Sequence, residues 1–445
     1  MHRFPTTKLR APRSAADVIA RPRLEALLDR ARRGQRATLL MAPAGYGKTT
    51  LVAAWSQRQD PAPAWFIVDA GDDPGDDVTA ARAETRVADW LQAALHAAMA
   101  VHDPRAAART NATASDPSAL AAAVERTSWR GVVVIDDVHH LGRAAGTALA
   151  TWVERAPEGI HTVLLARQAP HLPVARWLAR AEIEVVGVDA LRLDATEGRA
   201  LACRLLPALS RDDADALVAR VEGWPAGVQL AARTLRGKGD PADVIERFTG
   251  TDRYVLAFLT EEVLLRLPDD LHEAAVLLAG PPRLCAGLVD AVTLRDDGAA
   301  LLARLEAGEA FLERLDALDD DGPWFRFPDF FRDLLAHRLA LTHPELPARL
   351  AERAAAWWAA RAERSAPGAS VAADATAVGP AADTLTARER QVVVLLAAGA
   401  ATKAIARELG LSPNTVKTHT RHVFEKLGAR NRTEAAAAAR RRGLL

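Results

Sequence analysis

Met41-Ala42-Pro43-Ala44-Gly45-Tyr46-Gly47-Lys48-Thr49-Thr50 follows an apolar run, Thr38–Met41, and precedes Leu51–Trp55, which reads as an amphipathic helix. Two glycines two residues apart let a chain wrap so that successive backbone N–H groups point at one centre. The helix behind them adds its positive end. A lysine closing such a loop supplies a fixed cation, and the next threonine a hydroxyl ligand for a hard metal ion. The stretch is read as a phosphate-binding loop, A-x-x-x-x-G-K-T, with Ala42 where glycine is usual. Its candidate nucleotide-binding residues are Ala42, Gly45, Tyr46, Gly47, Lys48, Thr49 and Thr50. Lys48 is assigned to the β- and γ-phosphates and Thr49 to Mg2+, so the expected ligand is ATP or ADP with magnesium.

A strand–loop–helix needs a sheet around it. Trp65–Val68, Val132–Ile135 and Thr162–Leu165 are apolar runs that each end in a loop or helix start, the pattern of a parallel α/β sheet. Val132–Ile135 reads as a buried central strand, and Asp136-Asp137 closes it at the edge where open α/β sheets bind ligands. Asp136 is expected to hold the magnesium shell through water, and Asp137 to orient or deprotonate an attacking water. Arg167 ends the next strand, His161–Ala166, and is expected on the same rim. There it either reads the γ-phosphate as a sensor arginine or is a plain surface arginine. Asp137 and Arg167 are the candidate catalytic residues. Downstream, Gly223-Trp224-Pro225-Ala226-Gly227 interrupts a helical region. Pro225, held behind a tryptophan, either walls the nucleotide pocket or makes a turn between helices.

At 445 residues the chain exceeds one hydrophobic core. The expected organisation is a P-loop NTPase domain over 1–195 and a helical and winged-helix region over 196–362, with Trp324–Phe327 as a wing strand. An Ala/Gly/Pro/Asp-rich linker spans 363–382, and a helix-turn-helix domain 383–445. The fold class is thus multidomain, α/β followed by α. Cys203 and Cys285 offer no disulfide framework or metal cluster. No signal peptide or bilayer-spanning apolar run is read, so a cytoplasmic protein with no membrane partner is expected.

Net charge is zero, yet the chain from Asp383 to Leu445 has three Lys and nine Arg against five acidic residues, a net +7. Helices are read over Ala387–Ala398 and Lys403–Leu409. After the turn at Gly410-Leu411, Ser412 caps a third helix that has Pro413 at its first position and runs to Leu427. Asn414, Thr415, Lys417, Thr418 and Arg421 face out from this recognition helix. Asn414 and Lys417 are best placed for base edges, and Thr418, His419 and Arg421 for phosphates. A fourth, alanine-faced helix, Thr433–Arg442, offers a surface for pairing with its own copy.

Leu385-Thr386-x-Arg388-Glu389, Lys403-x-Ile405-Ala406, Thr415-Val416-Lys417-x-His419 and Lys426-Leu427-Gly428 closely resemble the LuxR-type helix-turn-helix. The body resembles the ATP-dependent LuxR-family regulators related to the maltose regulon activator, members of the STAND class of signalling NTPases. The resemblance rests on Ala42–Leu51, Ile135-Asp136-Asp137-x-His139, Gly223–Gly227 and Leu259-x-Glu261-Glu262-Val263. It implies that ADP holds a closed monomer, while ATP with an inducer favours an open homo-oligomer on double-stranded promoter DNA. RNA polymerase stands as a further candidate partner.

The chain departs from that pattern in three respects. The family's long helical-repeat sensor is replaced by the short linker. Pro328-Asp329 stands where the winged helix tends to carry histidines, and Ala401 and Thr420 replace a capping serine and an apolar residue. The reading is an ATP-responsive, DNA-binding transcriptional regulator, at most a slow ATPase. The alternative is a P-loop ATPase whose tail is a docking module.

Overall fold

Three apolar runs long enough to be buried on both faces make the centre of a parallel sheet. The computed structural model describes residues 4–365, apart from 14–16, 74, 76–78, 110–114, 128, 237–239, 309 and 320, and beyond them Leu396, Ile405 and Thr420. The strands are β1 (Ala37–Met41), β2 (Ala64–Ile67), β3 (Gly131–Asp136), β4 (Ile160–Ala166) and β5 (Ile183–Val186). All pair in parallel in the order β2-β3-β4-β1-β5. Every residue of β3 and β4 is buried, as are the first four of β1. The strand read at Trp65–Val68 lies one residue earlier. β5 was not read at all: Glu182 and Glu184 break its apolar pattern, and as an edge strand it pairs with β1 alone.

Register sets the site. Met41 pairs with Ala166, Ile135 with Leu164 and Ile67 with Asp136. The phosphate loop, the Asp136-Asp137 pair and Arg167 therefore leave the sheet at one edge.

Helix α1 (Pro22–Gly34) and helix α2 (Lys48–Ser56) lie on one face of this sheet. The amphipathic reading of Leu51–Trp55 is corrected here. Leu51, Val52, Ala53, Trp55 and Ser56 are all buried, because α2 lies between the sheet and both α1 and the later helices. Trp55 Nε1 donates to Asp29 of α1 at 2.7 Å. Helix α3 (Ala80–His102) covers the other face, where Trp90 stacks on Phe66 at 4.7 Å.

From Ala195 to Ala307 the described elements are helices, the first closed by a capping box between Asp194 and Glu197. The core continues through Leu191, Leu193, Leu201 and Leu217 without a break at residue 195. A hairpin follows, β6 (Glu313–Asp319) antiparallel to β7 (Gly322–Arg326). A bridge from Leu284 to Phe325 extends it, and helices Asp329–Thr342 and Leu346–Ser365 come after. The wing strand read from Trp-Phe-Arg-Phe is β7; its partner β6 was not read.

The chain divides into two units, Met1–Ala362 and Glu363–Leu445, and the sheet, the helices that cover it and the hairpin all belong to the first. In the second, Leu396 and Ile405 are helical and buried, and Thr420 is helical and half-buried. The candidate DNA-binding residues Asn414, Thr415, Lys417, Thr418, His419 and Arg421 lie outside the described residues. So does the 366–382 part of the linker. No helix among the described residues is long and apolar enough to cross a membrane.

Candidate functional site

Gly45 and Gly47 have φ of 82° and 76°, the left-handed region open to glycine, and Gly47 caps α2. Gly45 is also pinned by space. A Cβ there would sit 2.6 Å from both Ala226 Cβ and Trp224 Nε1. The loop and the Gly223–Gly227 turn are in direct contact: Trp224 Nε1 donates to Ala44 O at 3.2 Å and Ala226 N–H to Gly45 O at 3.0 Å. Pro225 occupies the first position of helix Pro225–Leu235, where its fixed φ suits a helix start. Trp224 stacks on Phe330 of the winged-helix region at 4.7 Å with the planes 7° apart.

Lys48, 8% exposed, donates from Nζ to Ala42 O at 2.5 Å and to Pro43 O at 3.1 Å. A cavity of about 450 Å3 opens over the loop, within the range of small-molecule sites. Gly45, Tyr46, Gly47, Lys48, Thr49, Thr50, Asp137, Arg167 and Pro225 line it. Ala42 does not. It is buried beneath the loop and contributes only its carbonyl. Sequence reasoning missed the apolar wall of Val18, Ile19 and Phe258, whose positions no local motif marks, and the carboxylate of Glu262.

Asp136 is 3% exposed and accepts hydrogen bonds from the Asp137 N–H, at 2.9 Å, and from the Thr49 hydroxyl. Burial, and then the neighbouring Asp137 carboxylate, push its pKa up to about 6 against the pull of Thr49, the Asp137 N–H and Lys48. The adjoining hydroxyl and carboxylate oxygens fit a hard cation such as Mg2+. Among the described residues no group of three His, Cys, Asp or Glu could hold a metal. A cation here would complete its shell from phosphate and water, as magnesium commonly does.

Asp137 has φ of 57°, in the left-handed region that aspartate adopts more readily than most side chains, and lines the rim of the cavity. Arg167 Nε lies 4.0 Å from that carboxylate, while its Nη1 donates to Glu262 at 2.9 Å. Glu262 also pairs with Arg266 at 3.0 Å. His139 Nδ1 is 3.8 Å from Asp137. Burial, then His140, Arg167 and Lys48, lower the His139 pKa to about 3, so its ring is neutral at physiological pH.

The Asp136 shift has a stability consequence with a definite sign. The folded state favours the protonated carboxyl, so it binds more protons than the unfolded chain between about pH 4 and pH 6. The penalty is absent below that window, grows through it and is full above it, at about 3 kcal/mol. Asp136→Asn is therefore expected to raise the melting midpoint of the nucleotide-free protein at pH 7.5, with the gain vanishing near pH 4. A lower midpoint at pH 7.5 would contradict this assignment.

Three family models match along the chain. Residues 21–165 match the AAA ATPase domain, residues 260–347 the MalT winged helix domain, and residues 383–439 the luxR family of bacterial regulatory proteins. The serine/threonine-protein kinase PknK of Mycobacterium tuberculosis is 31% identical over 365 residues, covering 80% of this chain and 32% of that one. The HTH-type transcriptional regulator MalT of Yersinia pestis is 31% identical over 360 residues, covering 78% and 38%. This chain is a homologue of MalT and PknK.

It spans about a third of the length of either relative. The AAA match holds β1 to β3, most of β4 and both phosphate-site motifs, and the MalT winged-helix match holds β6, β7 and Phe330. The luxR match falls on the basic tail. Among solved structures, the Walker-type ATPase PABY2304 of Pyrococcus abyssi aligns over 74% of this chain and 98% of that one, at 13% identity and a TM-score of 0.49.

Proposed function

We propose that the chain is an ATP-responsive transcriptional regulator, in which nucleotide bound over the phosphate loop biases residues 1–362 between two states and region 383–445 binds promoter DNA. The observation that carries the reading is the direct bonding of the loop carbonyls of Ala44 and Gly45 to Trp224 and Ala226. A ligand that reshapes the loop must disturb the helical region behind it, which gives ATP and ADP different contacts in the two states. Lys48 holds the β- and γ-phosphates, and Thr49 with Asp136 holds magnesium, which when bound offsets phosphate charge. Val18, Ile19 and Phe258 provide an apolar wall suited to the purine. Asp137 orients a water and Arg167 approaches the γ-phosphate. Arg167 is already shared between Asp137 and Glu262, so turnover is slow. The active form is a homo-oligomer.

In the tail, Lys417→Ala in the full chain is expected to weaken binding to the preferred duplex by about 1–3 kcal/mol, and to random duplex by less. Arg421→Ala is expected to weaken both about equally, with a shallower salt dependence. Fluorescence anisotropy across a salt series reads both effects, and equal losses on both duplexes for Lys417→Ala remove it from base recognition. A genome-wide binding map of the tagged chain, with and without Lys48→Ala, tests the whole reading. Discrete sites whose occupancy depends on Lys48 support it, and an absence of enriched sites in the unmutated chain defeats it.

A further inference from the structure

Tyr46 stands between the two left-handed glycines of the phosphate loop, and its side chain is buried. Its ring packs near Phe311 at 6.0 Å, and its hydroxyl is hydrogen-bonded to Arg192. Arg192 bonds Glu313 of β6 and lies 3.8 Å from Glu222. Arg326 of β7 bridges the same two carboxylates, at 2.5 Å to Glu222 and 2.8 Å to Glu313. The backbone N–H of Asp329 completes Glu222 at 2.8 Å. Two cations, two anions and one phenol thus join four stretches of chain that are far apart in sequence.

Glu222 itself is held in an unfavourable backbone state. Its φ is 51° and that of Gly223 is 70°, and a Cβ on Gly223 would meet Leu193 O at 2.7 Å. A glutamate in the left-handed region persists where the surroundings over-determine it. Here those surroundings are Arg326 and the Asp329 N–H, and the strained pair leads directly into Trp224-Pro225, the wall of the nucleotide cavity.

We propose that Glu222, Arg192, Glu313 and Arg326 are positioning residues that clamp the winged-helix hairpin to Tyr46, so that this charge cluster sets the seating of the phosphate loop and how long ADP stays bound. The inference rests on the nucleotide reading above for its ADP part alone. The seating of the loop is a property of the protein without ligand. The groups are about one-fifth exposed, so salt screens them.

The test uses the full chain and two readouts. In nucleotide-free protein, hydrogen exchange of Arg326→Gln is expected to rise about tenfold in residues 313–326 and also in residues 221–228. The second segment carries the Ala226 amide bonded to Gly45 O. A rise confined to 313–326 overturns the proposal. Should Arg326→Gln fail to fold, Tyr46→Phe is expected to give the same rise in 221–228, and no change there overturns it equally. The second readout is dissociation of fluorescent mant-ADP. Release is expected to speed up with salt in the unmutated chain, and to be about tenfold faster and less salt-dependent in Arg326→Gln. The double variant with Tyr46→Phe should release no faster than the faster single, because the two act in one cluster. Multiplying effects, or salt-independent release in the unmutated chain, contradict the clamp. If no variant and not the unmutated chain binds mant-ADP, the nucleotide reading falls, while the exchange data still decide the clamp.

Discussion

Lys48→Ala is expected to abolish ATP and ADP binding, a loss of at least a hundredfold, while the protein remains folded. Among the described residues three side-chain cations line the cavity, Arg21, Lys48 and Arg167. Arg21 is bonded to Glu197 at 2.7 Å and Arg167 to Glu262 at 2.9 Å, so their charge is largely committed to carboxylates. Lys48 Nζ instead donates to two neutral carbonyls of its own loop, directly beneath the cavity. A charge-assisted hydrogen bond to a charged group contributes about 1.5–3 kcal/mol, and a lysine that serves two phosphates makes more than one. Losing the donor to two carbonyls has a stability cost of about 1–3 kcal/mol, which a domain of this size tolerates. Calorimetric titration with ADP checks it, and affinity equal to that of the unmutated chain would remove the phosphate-loop assignment.

Trp224→Ala is the second large effect. The side chain is 1% exposed, stacks on Phe330, meets Phe311 edge-on at 5.8 Å and donates to Ala44 O. Truncating a buried tryptophan leaves a cavity and destabilises by about 3–5 kcal/mol. Here it also deprives the phosphate loop of its outer support. The melting midpoint is expected to fall sharply and nucleotide affinity with it, more than for a core tryptophan remote from the loop such as Trp152. Trp224→Phe keeps the stacking and loses the Nε1 bond, so it is expected to recover most of the stability and less of the affinity. Equal nucleotide affinity in folded Trp224→Ala would show that the turn only fills space.

The sheet and the phosphate loop were legible because each is written locally: four apolar residues then two aspartates, or two glycines then lysine and threonine. β5 was not, since two glutamates on a half-exposed edge erase the apolar signal, and neither was β6, whose partner β7 supplies the register. The burial of α2 on both sides was hidden because a helix's amphipathicity is judged from its own residues, whereas its outer cover comes from α1 and the later helices. The site was legible in its motifs and not in its pairings. Arg167 could be placed on the rim, but its bond to Glu262 spans 95 residues. Pro225 was readable as a wall of the nucleotide pocket or as a turn between helices; it starts a helix and lines the cavity over the loop.

The central claim is that nucleotide bound at Lys48 changes how the basic tail engages DNA. The most direct measurement is the affinity of the full chain for its best-enriched genomic duplex, by fluorescence anisotropy, in ATP and in ADP with magnesium. The account predicts at least a fivefold difference, about 1 kcal/mol of coupling, that disappears in Lys48→Ala. Identical DNA affinity in both nucleotides, under conditions where both are shown to be bound, would contradict it.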